Sequence, residues 1–318
     1  MKIVVLDAYT LGADGNSWAP LEQLGAVELH DRSTEAEVSA RARAADVLIT
    51  NKAPVRATAI AGAERLRFIA VSATGFDCVD TAAARQRGIP VANVPEYGTP
   101  SVAQFVFALL LEVCHRVGLH AAAVQAGEWA RSPDFCFWKT PQVELSGKCM
   151  GVVGCGRIGR RVGAVAHALG MSVLAAGRSA APEYPPFVRV GLDELFARAD
   201  VISLHCPLTP QTAGLVNHER LRLVKPGAIL INTARGGLVV EEDLAEALNA
   251  GRLGAAAVDV VGREPIRPDN PLLMARNCVI TPHIAWATRE ARRRLLETTV
   301  ANVAAFLAGR PTNVVNAD

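Results

Sequence analysis

Six short apolar segments recur through the second half of the chain: MGVVG (150–154), SVLAA (172–176), DVISLH (200–205), AILINTA (228–234), AAAVDVV (255–261) and CVITPH (278–283). Each has the length of a strand, and helical patterns lie between most of them, including 157–169 and 241–250. Strands that alternate with helices are joined by crossovers, so the sheet they form is parallel and covered on both faces. Few architectures satisfy that pattern. Six such strands are what a complete doubly wound, Rossmann-type dinucleotide-binding domain requires.

A shorter series precedes it: KIVVLDA (2–8), DVLIT (46–50), RFIAVSAT (67–74) and IPVANV (89–94). Thr34 and Glu37 have the spacing of a capping box, which predicts a helix beginning at Thr34. Between the two series, TPSVAQFVFALLLEVCHRVG (99–118) reads as one helix, with Thr99 as N-cap and Pro100 in its first turn. It is apolar nearly all round, which predicts burial. A last helix over 288–309 runs back to the first series. The expected fold class is therefore α/β with two domains: a smaller, discontinuous domain of residues 1–98 plus 288–318, and a dinucleotide-binding domain of residues 99–287 inserted into it.

With 318 residues, half of them hydrophobic and 20% charged, the chain has enough apolar material for two cores. Lys and Arg (33) nearly balance Asp and Glu (31), so the net charge of +2 offers no reason to expect nucleic acid or a membrane surface as partner. MKIVVLDAY reads as a strand closed by an Asp, not as a signal peptide, and no apolar run is long enough to span a bilayer. Cys78, Cys114, Cys136, Cys149, Cys155, Cys206 and Cys278 form no CxxC pair, and reduced, buried thiols in a cytoplasmic protein are expected. His30, His115, His120, His167 and His218 show no ligand-like spacing, and no metal is assigned.

Gly154-x-Gly156-x-x-Gly159 follows the first strand of the long series and opens a helix. In that setting Gly154 permits the tight turn, Gly156 lets a pyrophosphate approach the backbone and Gly159 lets helix and strand pack closely. Arg157 and Ile158 start the helix, whose N-terminal N–H groups attract an anion. A carboxylate for the adenosine ribose 2′-OH belongs at the end of the next strand. Gly177 stands there, followed by Arg178 and Ser179. Removing the acid and supplying a guanidinium and a hydroxyl suits a 2′-phosphate, which points to NADPH. The alternative is that NAD binds without its ribose anchor and Arg178 is a solvated loop residue.

Ligands in open α/β sheets sit beyond the carboxyl ends of the strands. Arg235, Glu264 and His283 all follow such ends. Alone, each has an ordinary reading as a surface charge or a core histidine. Together they suit reduction of a 2-oxo acid. The guanidinium orients the carboxylate and polarises the carbonyl, the imidazolium donates a proton, and Glu264 favours the protonated ring. His205, Cys206 and Pro207 are candidates for contact with the adenine and Asp259 for the nicotinamide amide, and Thr212, Thr233 and Ala234 are further candidates for cofactor contact. Loop or core packing competes in these cases.

INTARGGLVVEEDLAEAL (231–248), AVDVVGREP and VITPHIAWAT resemble the D-isomer-specific 2-hydroxyacid dehydrogenase family, and the likeness extends over almost the whole chain. It is nearest the glycerate dehydrogenase/hydroxypyruvate (glyoxylate) reductase branch, through LITNKAPV (48–55), RSPDFCFW (131–138) and Trp286. The resemblance implies a flavodoxin-like smaller domain, a cleft-closing homodimer, and the Arg235, Glu264 and His283 roles given above. It also implies that Ala73, Thr74 and Gly75 in VSATGFDCVD donate backbone N–H groups to the substrate carboxylate. Asn51 and Lys52 would lie near the substrate, and Ser101 near the nicotinamide. Trp138 and Trp286 are candidate pocket walls, with plain packing as the alternative. Gly177-Arg178-Ser179 departs from the family's usual acidic strand end and resembles members that use NADPH. Two other outcomes stay open: a dehydrogenase of bulkier acids such as phenylpyruvate using NAD, or a non-catalytic dinucleotide-sensing co-repressor. The latter would call for a peptide-docking groove and extra tails.

Overall fold

The computed structural model describes residues 1–12, 17–177 and 187–317. The chain divides into two compact units, Met1–Gly98 with Ala287–Asp318, and Thr99–Trp286.

In the first unit, β1 (Lys2–Val5), β2 (Ala26–Leu29), β3 (Val47–Thr50), β4 (Phe68–Val71) and β5 (Val91–Ala92) form a sheet in the order β2-β1-β3-β4-β5. Every pairing is parallel. This is the flavodoxin order. The central strands VLIT and FIAV are buried along their whole length. The connections carry α1 (Tyr9–Gly12), α2 (Ala19–Glu22), α3 (Glu35–Ala44), α4 (Ala57–Ala61) and α5 (Thr81–Gln86). The capping box expected at Thr34 starts α3: Thr34 N donates to Glu37 Oε2 at 2.7 Å, and Glu37 N donates to Thr34 Oγ1 at 3.4 Å.

Sequence reading finds four strands here and misses β2. AVEL is an edge strand with no fully buried residue, so it lacks the apolar run that marks its neighbours. The opposite edge is closed by the chain's end, where Val314 bridges Ala92 antiparallel and Asn316 Oδ1 accepts from Val91 N at 2.8 Å. The final helix, numbered α12 in chain order (Arg289–Leu307), packs on this sheet: Phe306 stacks on Phe68 with ring centroids 4.5 Å apart, and Asn302 Nδ2 donates to Asn93 O at 2.8 Å.

The second unit begins with α6 (Thr99–His115) and α7 (Val117–Gln125). The expected single helix over 99–118 is two, because Arg116 sits in the left-handed region (φ 47°, ψ 46°) and turns the chain. Burial is also less than expected. Val106, Phe107 and Leu110 face the core, while Leu111, Val117 and Leu119 are exposed. Among the described residues no single helix is long and apolar enough to cross a membrane.

A seven-stranded parallel sheet follows, built from β6 (Cys149–Val153), β7 (Ser172–Ala176), β8 (Phe187–Arg189), β9 (Val201–Leu204), β10 (Ile229–Asn232), β11 (Ala255–Val258) and β12 (Cys278–Ile280). Its order is β12-β11-β10-β9-β6-β7-β8, the doubly wound arrangement with one strand added. That strand order reverses at the β6/β9 pair. The strand missed by sequence reading is β8, a three-residue edge piece with two exposed positions. Helices α8 (Arg157–Ala168), α9 (Leu192–Arg198), α10 (His218–Leu221) and α11 (Glu241–Asn249) complete the unit. Alternate side chains of one strand enter opposite cores: Ile229 and Ile231 join α6 and α8, whereas Leu230 joins Phe196 and Leu244. Of the free cysteines, Cys114 and Cys155 are buried as expected, but Cys136 is exposed.

Candidate active site

The glycine turn lies where the strand order reverses, between β6 and α8. Gly154 has φ +95°, and a Cβ there would lie 2.6 Å from Cys206 N. A Cβ on Gly159 would lie 2.2 Å from Gly154 O. Close packing therefore demands glycine at both positions. Gly156 differs: a Cβ built on it meets nothing within 4 Å. It is the N-cap of α8 and offers no side chain to the first-turn N–H groups, the arrangement that suits an approaching anion. Arg157 and Gly156 are exposed, and Ile158 packs into the core beneath.

Thr233, just past β10, has a buried Oγ1 without a hydrogen-bond partner among the described residues. A buried hydroxyl left unpaired is costly unless a ligand completes it. The open face of Gly156, the uncapped helix start and this orphaned hydroxyl fit a bound dinucleotide.

Gly177 follows β7 directly, with φ +152°, a conformation L residues rarely adopt. An acidic side chain is thus disfavoured at this place as well as absent. Arg178 and Ser179 lie outside the described residues. On the far side of the turn, His205 N donates to Val153 O at 2.7 Å, and its ring Nε2 lies 2.8 Å from Ser203 Oγ. Desolvation pulls this imidazole down to about 4, so it is neutral at physiological pH. Burial also raises the Cys206 thiol. Pro207 is exposed, and its carbonyl accepts from Thr212 Oγ1 at 2.7 Å, which folds the loop over 207–212 on itself.

Arg235, Glu264 and His283 follow the adjacent strands β10, β11 and β12. Their loops touch. A Cβ on Gly236, next to Arg235, would fall 1.9 Å from the Val261 carbonyl carbon, and Val261 N donates to Glu264 Oε1 at 3.3 Å. Glu264 Oε2 lies 2.7 Å from His283 Nδ1. That contact leaves Nε2 free of hydrogen bonds among the described residues. The Arg235 guanidinium donates to Ala234 O at 2.7 Å, and Ala234 N donates to Asn232 Oδ1 at 3.0 Å.

His283 has φ 56°, a strained setting for a non-glycine residue, held by His283 N donating to Asp259 O at 2.8 Å. Asp259 is the hub of this loop. Its Oδ1 accepts from Thr281 Oγ1 (2.6 Å) and Ile284 N (2.9 Å), and its Oδ2 accepts from Ala285 N (2.8 Å). Oδ2 keeps capacity for another donor. Burial pushes its carboxyl above the usual range, against the pull of those hydrogen bonds. Sequence reading names Asp259 as a cofactor contact and misses its part in shaping the His283 loop, which joins residues 22 or more positions apart. Ser101 Oγ donates to Ala285 O at 2.6 Å, beside Trp286.

The first unit carries its own cluster. The N–H groups of Ala73, Thr74 and Gly75 meet no acceptor among the described residues, while Thr74 Oγ1 donates to Val94 O at 2.8 Å and fixes the loop. Sequence reading sees Asp7 only as the end of a strand. Its carboxylate accepts from Asn51 N (2.7 Å), Lys52 N (2.5 Å) and Ala53 N (2.8 Å), and so sets the loop that presents exposed Lys52. Asn51 Nδ2 donates to Ser72 O at 2.5 Å, tying the two loops together.

Residues 107–285 match the sequence profile described as D-isomer specific 2-hydroxyacid dehydrogenase, NAD binding domain. A hydroxypyruvate reductase of Blautia hydrogenotrophica is 50% identical over 321 residues, covering 99% of this chain and 100% of that one. A glycerate dehydrogenase of Methylorubrum extorquens is 39% identical over 319 residues, covering 99% of each. Among solved structures, the TT0316 protein of Thermus thermophilus superposes with a TM-score of 0.87 at 40% identity, covering 99% of this chain and 100% of that one.

Proposed function

This chain belongs to the D-isomer specific 2-hydroxyacid dehydrogenase family, and from that premise we propose that it reduces small 2-oxo acids, hydroxypyruvate and glyoxylate, to D-2-hydroxy acids, with NADPH preferred over NADH. The observation that carries this reading is the His283–Glu264 pair at 2.7 Å, with Nε2 unbonded among the described residues, at the same sheet edge as the glycine turn. The names of the hydroxypyruvate reductase and glycerate dehydrogenase relatives support the choice of substrate.

In this proposal the Ala73, Thr74 and Gly75 N–H groups and the Lys52 ammonium receive the substrate carboxylate, as a backbone anion nest does. Arg235 orients the substrate and polarises its carbonyl oxygen. His283 Nε2 gives that oxygen its proton, and Glu264 holds the ring through Nδ1. Gly154, Gly156, Arg157, Ile158 and Gly159 cradle the pyrophosphate, and Thr233, Ala234 and Asp259 serve the nicotinamide end. The dinucleotide supplies the hydride. NADPH preference is supported by the backbone at Gly177, which disfavours an acid, and by the Arg178–Ser179 sequence that follows.

The protein is further proposed to be a homodimer, since Trp129, Phe135 and Trp138 are 51%, 89% and 70% exposed on one stretch after α7. A panel of 2-oxo acids assayed in parallel with NADH and NADPH tests the catalytic reading. Saturable NADPH oxidation with hydroxypyruvate or glyoxylate supports it. A preference for phenylpyruvate with NADH replaces it with the bulkier-acid dehydrogenase, and tight dinucleotide binding without turnover leaves the co-repressor.

A further inference from the structure

The edge strand β8, which sequence reading misses, returns the chain to the place where the ribose-binding acid is lacking. Arg189 closes that strand and pairs in register with Ala175 of β7. Its Nη2 lies 3.5 Å from Gly177 O. At that length the contact is at the outer limit of a hydrogen bond, and it occupies one of five guanidinium donors. The side chain is exposed, and no carboxylate pairs with it among the described residues. A forked cation with no carboxylate partner among the described residues thus sits beside the place where this architecture usually sets a carboxylate against the adenosine ribose.

Resting on the NADPH reading above, we propose that Arg189 is a specificity-determining residue that recognises the 2′-phosphate of the dinucleotide. A carboxylate at this edge would repel a dianionic phosphate, whereas a guanidinium offers it paired charge-assisted donors. The feature is invisible to a motif search. It lies 12 residues beyond Gly177 in sequence and reaches the site only through the parallel β7–β8 pairing. A plain solvated charge on an edge strand is the competing account.

The test compares binding of adenosine 2′,5′-bisphosphate and of 5′-AMP to the full chain by calorimetry, in the wild type, Arg189→Gln and Arg189→Lys. The wild type is expected to prefer the bisphosphate. Loss of one charged hydrogen bond in Arg189→Gln should cut that preference by about tenfold, with 5′-AMP affinity unchanged. Arg189→Lys, which keeps the charge, should retain part of the preference. The ratio of NADPH to NADH KM should move in parallel. A bisphosphate preference that survives in Arg189→Gln overturns the assignment and leaves NADPH use standing. A wild type indifferent to the 2′-phosphate overturns both. Equal loss of both nucleotides in Arg189→Gln marks general damage to the site and also overturns the assignment.

Discussion

Replacing Gly156 by Ala should leave the free protein close to wild-type stability and make its dinucleotide affinity much worse. Gly156 has φ −80° and ψ −164°, ordinary extended values that Ala adopts without strain, and its added Cβ meets nothing within 4 Å. The added methyl clashes with nothing and removes conformational freedom from the unfolded chain, worth about 0.4–1 kcal/mol. Ala is a poorer N-cap than Gly by a comparable amount, so the two contributions nearly cancel. The Tm of the free protein should therefore move by no more than roughly 2 °C. The same methyl group stands over the uncapped start of α8, where the pyrophosphate must approach the backbone, so NADPH Kd should rise by about tenfold or more. Thermal unfolding of the free protein and calorimetric titration with NADPH measure the two effects separately. Gly159→Ala provides the contrast: its Cβ would fall 2.2 Å from Gly154 O and 2.9 Å from Val152 Cγ1. Overpacking of that kind costs about 1–3 kcal/mol, a Tm loss of roughly 2–12 °C. An unchanged NADPH Kd in Gly156→Ala would refute the reasoning, because the open face of the turn would then not be where the phosphates bind.

His283→Gln should lower kcat by about 100-fold or more with NADPH Kd unchanged, and near-wild-type turnover would remove it as the proton donor. Glu264→Gln leaves the ring its neighbour but not the charge, and should lower kcat less than His283→Gln does; an equal or larger loss would mean the carboxylate does more than hold the imidazole. Asp7→Asn sets an amide against backbone N–H groups, and should raise the KM for hydroxypyruvate while sparing that for NADPH; the reverse pattern would detach the 51–53 loop from the substrate. His205 makes stability depend on pH. Its pKa drops from 6.5 to about 4 on folding, so above about 6.5 the ring is neutral in both states and stability is at its full value. As pH falls from 6.5 towards 4 only the unfolded chain takes up the proton, and as much as about 3 kcal/mol is lost. Urea unfolding across that window should show the loss in the wild type and a flatter profile in His205→Gln.

Several features were legible along the chain because their causes are local. The glycine turn is read from backbone requirements within a few residues, and the capping box at Thr34 from a three-residue spacing. Central strands such as VLIT and FIAV declare themselves because both faces are buried, which forces continuous apolar runs. The edge strands β2 and β8 do not, since half their surface faces water and their strand character comes from a neighbour already in place. For the same reason the apolar run over 99–118 concealed the left-handed Arg116 that divides it.

Order along the chain was enough to specify an α/β protein with a dinucleotide turn and polar residues past strand ends, because period, glycine position and strand length are properties of short segments. Tertiary structure decided which of those polar groups meet. The Glu264–His283 contact spans 19 positions, Asp259 gathers a loop more than 20 residues away, and Asp7 reaches across 44 to 46 positions to hold residues 51–53. Such contacts depend on strand order and register, which are set by how whole sheets pack, and no local pattern carries that information.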